Sequence, residues 1–163
     1  MLNKAVLDAL NEQIKHEYFS SYLYLAMSAH CDSVNLPGFA KWLRIQSREE
    51  MSHALKIFDY INDHGARVVL QPIDRPLAEY KSPLELFKAV LEHEKKISGL
   101  IHKLYELALR EADYATQIML QWFIKEQVEE EKNASAIVEQ LKFVGDAPPA
   151  LIMMDRQLGA RSE

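Results

Sequence analysis

Glycine and proline are sparse in this chain, and their placement does most to limit its fold. Five Gly and six Pro serve 163 residues. Between them lie four long segments in which apolar side chains recur every three or four positions, the rhythm of an amphipathic helix. The first runs from about Leu2 to Asp32. Ser33-Val34-Asn35-Leu36-Pro37-Gly38 breaks it, and Pro37 suits the first turn of the second helix. That helix extends to about His64, with Gly65 as its stop. Residues 66–81 carry two prolines and no helical rhythm, so they read as a long connection. Ser82-Pro83-Leu84-Glu85 opens the third helix with a capping box and proline at its first position. It continues to about Glu111; Asp113 caps the fourth, which reaches about Val144 before Gly145. A short apolar fifth helix, about 149–159, follows Pro148-Pro149. Helices of about 30 residues are about 45 Å long. Four of them joined short–long–short predict an all-α four-helix bundle, with a long crossover between helices two and three and a short fifth C-terminal helix. One domain over residues 1–163 is expected, its bundle at about 2–144.

Composition excludes several classes. The net charge of −5 and the absence of a basic patch argue against nucleic-acid binding. No apolar run reaches the ~18–20 residues that span a membrane. The N-terminal segment lacks the pattern of a signal peptide. The single cysteine, Cys31, permits no disulfide within the chain and fits a reducing compartment. A cytoplasmic protein is expected.

The core stripe of each helix changes character near its middle. Stepping by three and four gives Leu7, Leu10, Ile14, Glu17, Ser21 and Tyr24 on the first helix. The second gives Leu43, Gln46, Glu50, His53, Ile57 and Tyr60, and the third Phe87, Leu91, Glu94, Ser98, Ile101 and Tyr105. The fourth gives Leu120, Phe123, Gln127, Glu130, Ala134, Ile137 and Leu141. In an aligned bundle, side chains at similar depth meet. Glu17, Glu50, Glu94, Glu130, His53 and Gln127 are therefore expected to share one layer.

Carboxylates taken unpaired into an apolar interior cost several kcal/mol each, or take up protons. No Lys or Arg lies on the stripes to offset them. Carboxylates with one imidazole suit divalent iron, manganese or zinc. Four negative charges match two divalent ions, with Glu50 bridging. Only one helix carries Glu-x-x-His, at Glu50-Met51-Ser52-His53; the fourth offers Gln127-Val128-Glu129-Glu130. The second metal is thus expected to bind more weakly.

With these residues assembled, the sequence resembles the non-haem ferritins of bacteria and archaea. The likeness is carried by "LNEQIKHEYFSSYLYLAM", "EEMSHALKIFDYI", "EHE" and "LQWFIKEQVEEE", and it extends over nearly the whole chain. The resemblance implies a ferritin-like fold with a ferroxidase di-iron centre: Glu17, Glu50 and His53 for the first iron, and Glu50, Glu94 and Glu130 for the second, with Gln127 beside it. It also implies a third iron site at Glu49, Glu126, Glu129 and Glu130, and a Tyr24 that donates an electron. Fe(II) would be oxidised by O2 or peroxide and stored as mineral in a shell of 24 copies. In that family the first two helices pair across a two-fold interface and the fifth lines a four-fold channel. Positions matching the acidic three-fold pore of animal ferritins are counted at Gln117 and Leu120. Bacterioferritins bind haem through a Met matching Met51, but the fourth helix lacks their Glu-x-x-His, and haem is not expected. The rival readings are a bacterioferritin-like protein, a small di-iron oxidase or peroxide reductase, and a bundle without metal. Rubrerythrins carry a Cys-rich domain that this chain does not have.

Overall fold

The structure, a computed structural model, describes residues 2–145 and 147–162. Met1 and Glu163, at the limits of the expected domain, and Asp146 lie outside the described residues. Among the described residues five helices follow in order: α1 (Lys4–Ser33), α2 (Pro37–Asp63), α3 (Pro83–Arg110), α4 (Tyr114–Val144) and α5 (Pro148–Gly159). Local chemistry sets the ends. The Asn3 side chain accepts from the Ala5 N–H, and the Asp113 side chain accepts from the Thr116 N–H and hydroxyl. Ser82 accepts from the Glu85 N–H, but Glu85 returns its bond to the Lys81 N–H, one residue outside the expected box. Gly65 adopts φ +66°, the left-handed conformation that glycine takes without steric cost.

Cross-helix bonds fix the topology. Ser21–Ser47 and Ser28–Ala40 make α1 and α2 an antiparallel pair. Asn3–Glu111 and Tyr24–Glu94 make α1 and α3 antiparallel. Hence α2 and α3 run parallel, and residues 66–81 carry the chain back along the bundle. The Val69 N–H donates to the Asn11 side chain at 2.8 Å and ties this crossover to α1.

The apolar core falls into two clusters. One gathers Leu23, Met27, Phe39, Leu43, Phe87, Ile137 and Leu141 with α5's Met154 and Leu158. The other gathers Val6, Leu10, Ile14, Ile57, Ile61, Ile101, Leu120 and Phe123. Five stripe positions differ from expectation: Leu7, Ser21, Tyr60, Leu91 and Tyr105 are half-buried, and Val6, Val90 and Leu104 take the deeper places beside Leu7, Leu91 and Tyr105. The core faces of α1 and α3 are therefore rotated slightly. Leu120 is fully buried, so the pore position counted for it is wrong: the count landed on the core stripe of α4. Cys31 is buried, and burial pushes its thiol up to about 12, which leaves it unreactive.

α5 seats on the start of α2. The Asp155 carboxylate accepts from the Gly38 and Phe39 N–H groups at 2.8 and 3.0 Å, and Lys41 donates to the Gly159 carbonyl. The approach is so close that a Cβ at Gly38 would lie 1.7 Å from the Asp155 carbonyl oxygen. Gly38→Ala should therefore displace α5 and destabilise the protein by about 1–3 kcal/mol, the usual range for overpacking. Thermal unfolding checks the loss, and faster proteolysis within residues 147–162 locates it.

Candidate metal centre

Between the two apolar clusters lies the polar layer. Glu17, Glu50, Glu94, Glu130, His53 and Gln127 are all buried there. α1 contributes Glu17, α2 Glu50 and His53, α3 Glu94, and α4 Gln127 and Glu130. Glu50 and His53 lie on one face because three residues make nearly one helical turn.

Three sets of ligand atoms converge within 4.8 Å: Glu17, Glu50 and His53; Glu50, Glu94 and Glu130; and His53, Glu126 and Glu130. Glu50 belongs to the first two, the position a bridging carboxylate needs. His53 Nδ1 is 3.4 Å from Glu50 Oε2 and 3.9 Å from Glu17 Oε2. Yet Glu17 Oε2 and His53 Nδ1 are buried without a hydrogen-bond partner. Two orphaned polar atoms facing one another are costly, and once Glu17 gives up its proton only something electropositive can join them. A cation with oxygen and nitrogen ligands fits that point.

The remaining atoms of the layer are held by neighbours. Gln13 Nε2 donates to Glu17 Oε1 at 2.7 Å, leaving only the inward oxygen open. Gln46 Nε2 donates to Glu130 Oε2 at 2.7 Å and Glu50 Oε1 at 3.3 Å. Gln127 Nε2 donates to Glu94 Oε2 at 3.0 Å, and the Tyr24 hydroxyl donates to Glu94 Oε1. Trp122 and Phe123 stand edge-on to the His53 ring.

Electrostatics follow from this enclosure. Burial pushes Glu17 up to about 8, with Glu50 adding repulsion. Burial pushes Glu130 up to about 7, helped by Glu94. Glu94 is raised, and Glu50 well raised, also chiefly by burial. Burial and the Glu94 charge hold the Tyr24 phenol well above its usual range, so it stays a donor.

The expected third group is divided. Glu126 and Glu130 converge with His53, while Glu49 and Glu129 belong to none of the three sets among the described residues. Glu129 is exposed, and Glu49 is paired with Arg161 at 2.5 Å. Arg161 escaped the sequence reading because it lies beyond the last helix. Gln13 and Gln46 had a legible signal, since each precedes a core glutamate by four residues, the spacing of neighbours on a helix face.

The fold and this layer define a carboxylate–histidine metal-binding helical bundle. The ferritin-like domain family matches residues 7–144. The bacterial non-heme ferritin of Staphylococcus haemolyticus is 42% identical over 99% of this chain and 98% of its own length. That of Staphylococcus epidermidis is 43% identical over the same shares. A novel open pore ferritin from the hyperthermophilic archaeon Archaeoglobus fulgidus superposes with a TM-score of 0.98 at 43% identity, covering 99% of this chain and 100% of its own. The chain belongs to the ferritin family.

The raised carboxyls predict how metal-free protein responds to pH. Folded Glu17 holds its proton up to about pH 8, whereas its ordinary value is 4.5. Its contribution to stability is full below 4.5 and is lost as pH rises through about 8. The Tm of chelator-treated protein should therefore fall across that window. Glu17→Gln should flatten the fall, and Zn(II) should remove it. An equal slope in the wild type and the variant would contradict the assignment.

Proposed function

We propose that this chain stores iron and oxidises Fe(II) at the buried layer. The observation that carries the reading is the pair of orphaned atoms, Glu17 Oε2 and His53 Nδ1, facing Glu50 inside a ferritin bundle. Fe(II) is the substrate and Fe(III) the cargo. Glu17, Glu50 and His53 hold one ion; Glu50, Glu94 and Glu130 hold the other. Two Fe(II) together give up two electrons. O2 accepting them with two protons leaves as hydrogen peroxide; peroxide accepting them with two protons leaves as two waters. Carboxylates favour the harder Fe(III), which supplies driving force.

The protein's own groups set the terms. Gln13, Gln46 and Gln127 orient the carboxylates, as groups behind metal ligands do. Metal entry displaces the protons that burial holds on the glutamates. When O2 is carried on to two waters, which takes four electrons and four protons, two Fe(II) of the pair and a third Fe(II) would give three, and Tyr24 would give the fourth, its phenolic proton passing to Glu94. Glu49 of α2 and Glu126, Glu129 and Glu130 of α4 form a third iron site, of which Glu126 and Glu130 converge with His53.

Assembly into a hollow shell of 24 copies would account for the apolar surface. Tyr22, Leu25, Met51 and Leu55 are exposed on α1 and α2, where two-fold pairing would cover them. Met154 and Leu158 are buried within the chain, whereas Ile152 and Met153 of α5, with Phe143, remain for a neighbour.

Glu50→Ala or His53→Ala should slow aerobic Fe(II) oxidation by at least about 10–100-fold. The shell should still form, as read by stopped-flow absorbance and particle size. Wild-type rates would remove the centre as assigned. Glu126→Ala combined with Glu129→Ala should alter the iron:oxygen ratio, measured with an oxygen electrode, more than the initial rate.

A further inference from the structure

Arg161 reaches the centre from the end of α5. Its Nη2 donates to Glu49 Oε2 at 2.5 Å and its Nη1 to Gln46 Oε1 at 2.9 Å. Its guanidinium carbon lies 4.8 Å from the centre of the Trp42 ring, a cation–π contact. The side chain is 24% exposed, against 41% for Glu49, so the pair closes one side of the layer rather than lying free in solvent. Its position is set by the α5 anchor: Asp155 on the α2 N-terminus, Lys41 on the Gly159 carbonyl, and Gly159 against Gly38.

The contact to Gln46 has a second effect. A carboxamide has one oxygen and one NH2 group. Because Arg161 occupies the Gln46 oxygen, the NH2 must face inward, where it donates to Glu130 and Glu50. Arg161 is thus two hydrogen bonds from the bridging carboxylate.

We propose that Arg161 is the resident cation on the Glu49 side of the centre, so that a third metal ion binds Glu49 only by displacing it. The proposal rests on the two-metal reading above and adds regulation to it. A metal arriving at Glu49 breaks a charge-assisted, two-pronged hold. It also releases Gln46 and, through it, loosens Glu130 and Glu50. Occupancy of the outer position is thereby coupled to release from the inner pair. While Arg161 stays in place, the inner pair fills first.

The test uses the assembled protein and Zn(II), a redox-inert probe, in calorimetric titrations. The parent for the titrations is the wild type, because Trp122 touches the His53 ring; Trp122→Phe serves only the parallel emission measurement, leaving Trp42 to report on Arg161. The parent protein should bind two equivalents tightly and a third at least about tenfold more weakly, with Trp42 emission changing only at the third. Arg161→Gln should tighten the third site about tenfold or more. Adding Glu49→Gln should cancel that gain, and Arg161→Lys, which keeps the charge but not the fork, should fall between. A third site no tighter in Arg161→Gln than in the parent overturns the proposal, as do Lys and Gln variants that behave alike. Failure of the parent to bind the first two equivalents overturns the two-metal reading itself, a distinct result.

Discussion

The rest of the structure is arranged around one unfavourable act, the burial of four carboxylates in the waist of a helical bundle. Left alone, each would cost several kcal/mol or keep its proton at neutral pH. The raised positions of Glu17, Glu50, Glu94 and Glu130 show the second response. The glutamine amides and the Tyr24 hydroxyl take the outer oxygens, and what remains open points to a common centre. Long helices serve this arrangement. Each brings one or two polar groups to the same depth while its two ends supply enough apolar contact to hold the layer shut.

Much of this was legible in the sequence because helical periodicity is a local signal. Helix ends followed from Pro37, Ser82, Asp113 and Gly145, whose roles depend on immediate neighbours, whereas the Asn3 cap of α1 did not enter the sequence reading. The inner layer was legible because Glu17, Glu50, Glu94 and Glu130 interrupt apolar stripes at matching depth. Legibility failed where small rotations matter. Leu7 and Val6 both fit the rhythm of α1, and only packing selects Val6. Leu120 was assigned to a pore by counting residues, although its own stripe marks it as core.

Arg161 was not legible for a different reason. Its partners Gln46 and Glu49 are more than 100 residues away in sequence. No periodicity links them. The link exists because two glycines let α5 cross the start of α2, a tertiary contact that redirects the end of the chain onto the face of α2. The glutamines occupy an intermediate case. Gln13 and Gln46 each stand one helical turn before a core glutamate, so their spacing was visible while their purpose required the bonds themselves.

The division of the apolar core into two clusters has a consequence for how substitutions combine. The cluster around Phe87 and the cluster around Phe123 share no side chain, and a polar layer stands between them. Substitutions without common partners act nearly independently on stability. Each half is therefore free to drift through its own series of compensating apolar replacements. The waist has no such freedom, since Glu50, His53 and Glu130 each belong to two ligand sets at once. The two ends of the bundle can therefore be repacked separately, whereas any change at the waist disturbs both metal-ligand sets through Glu50.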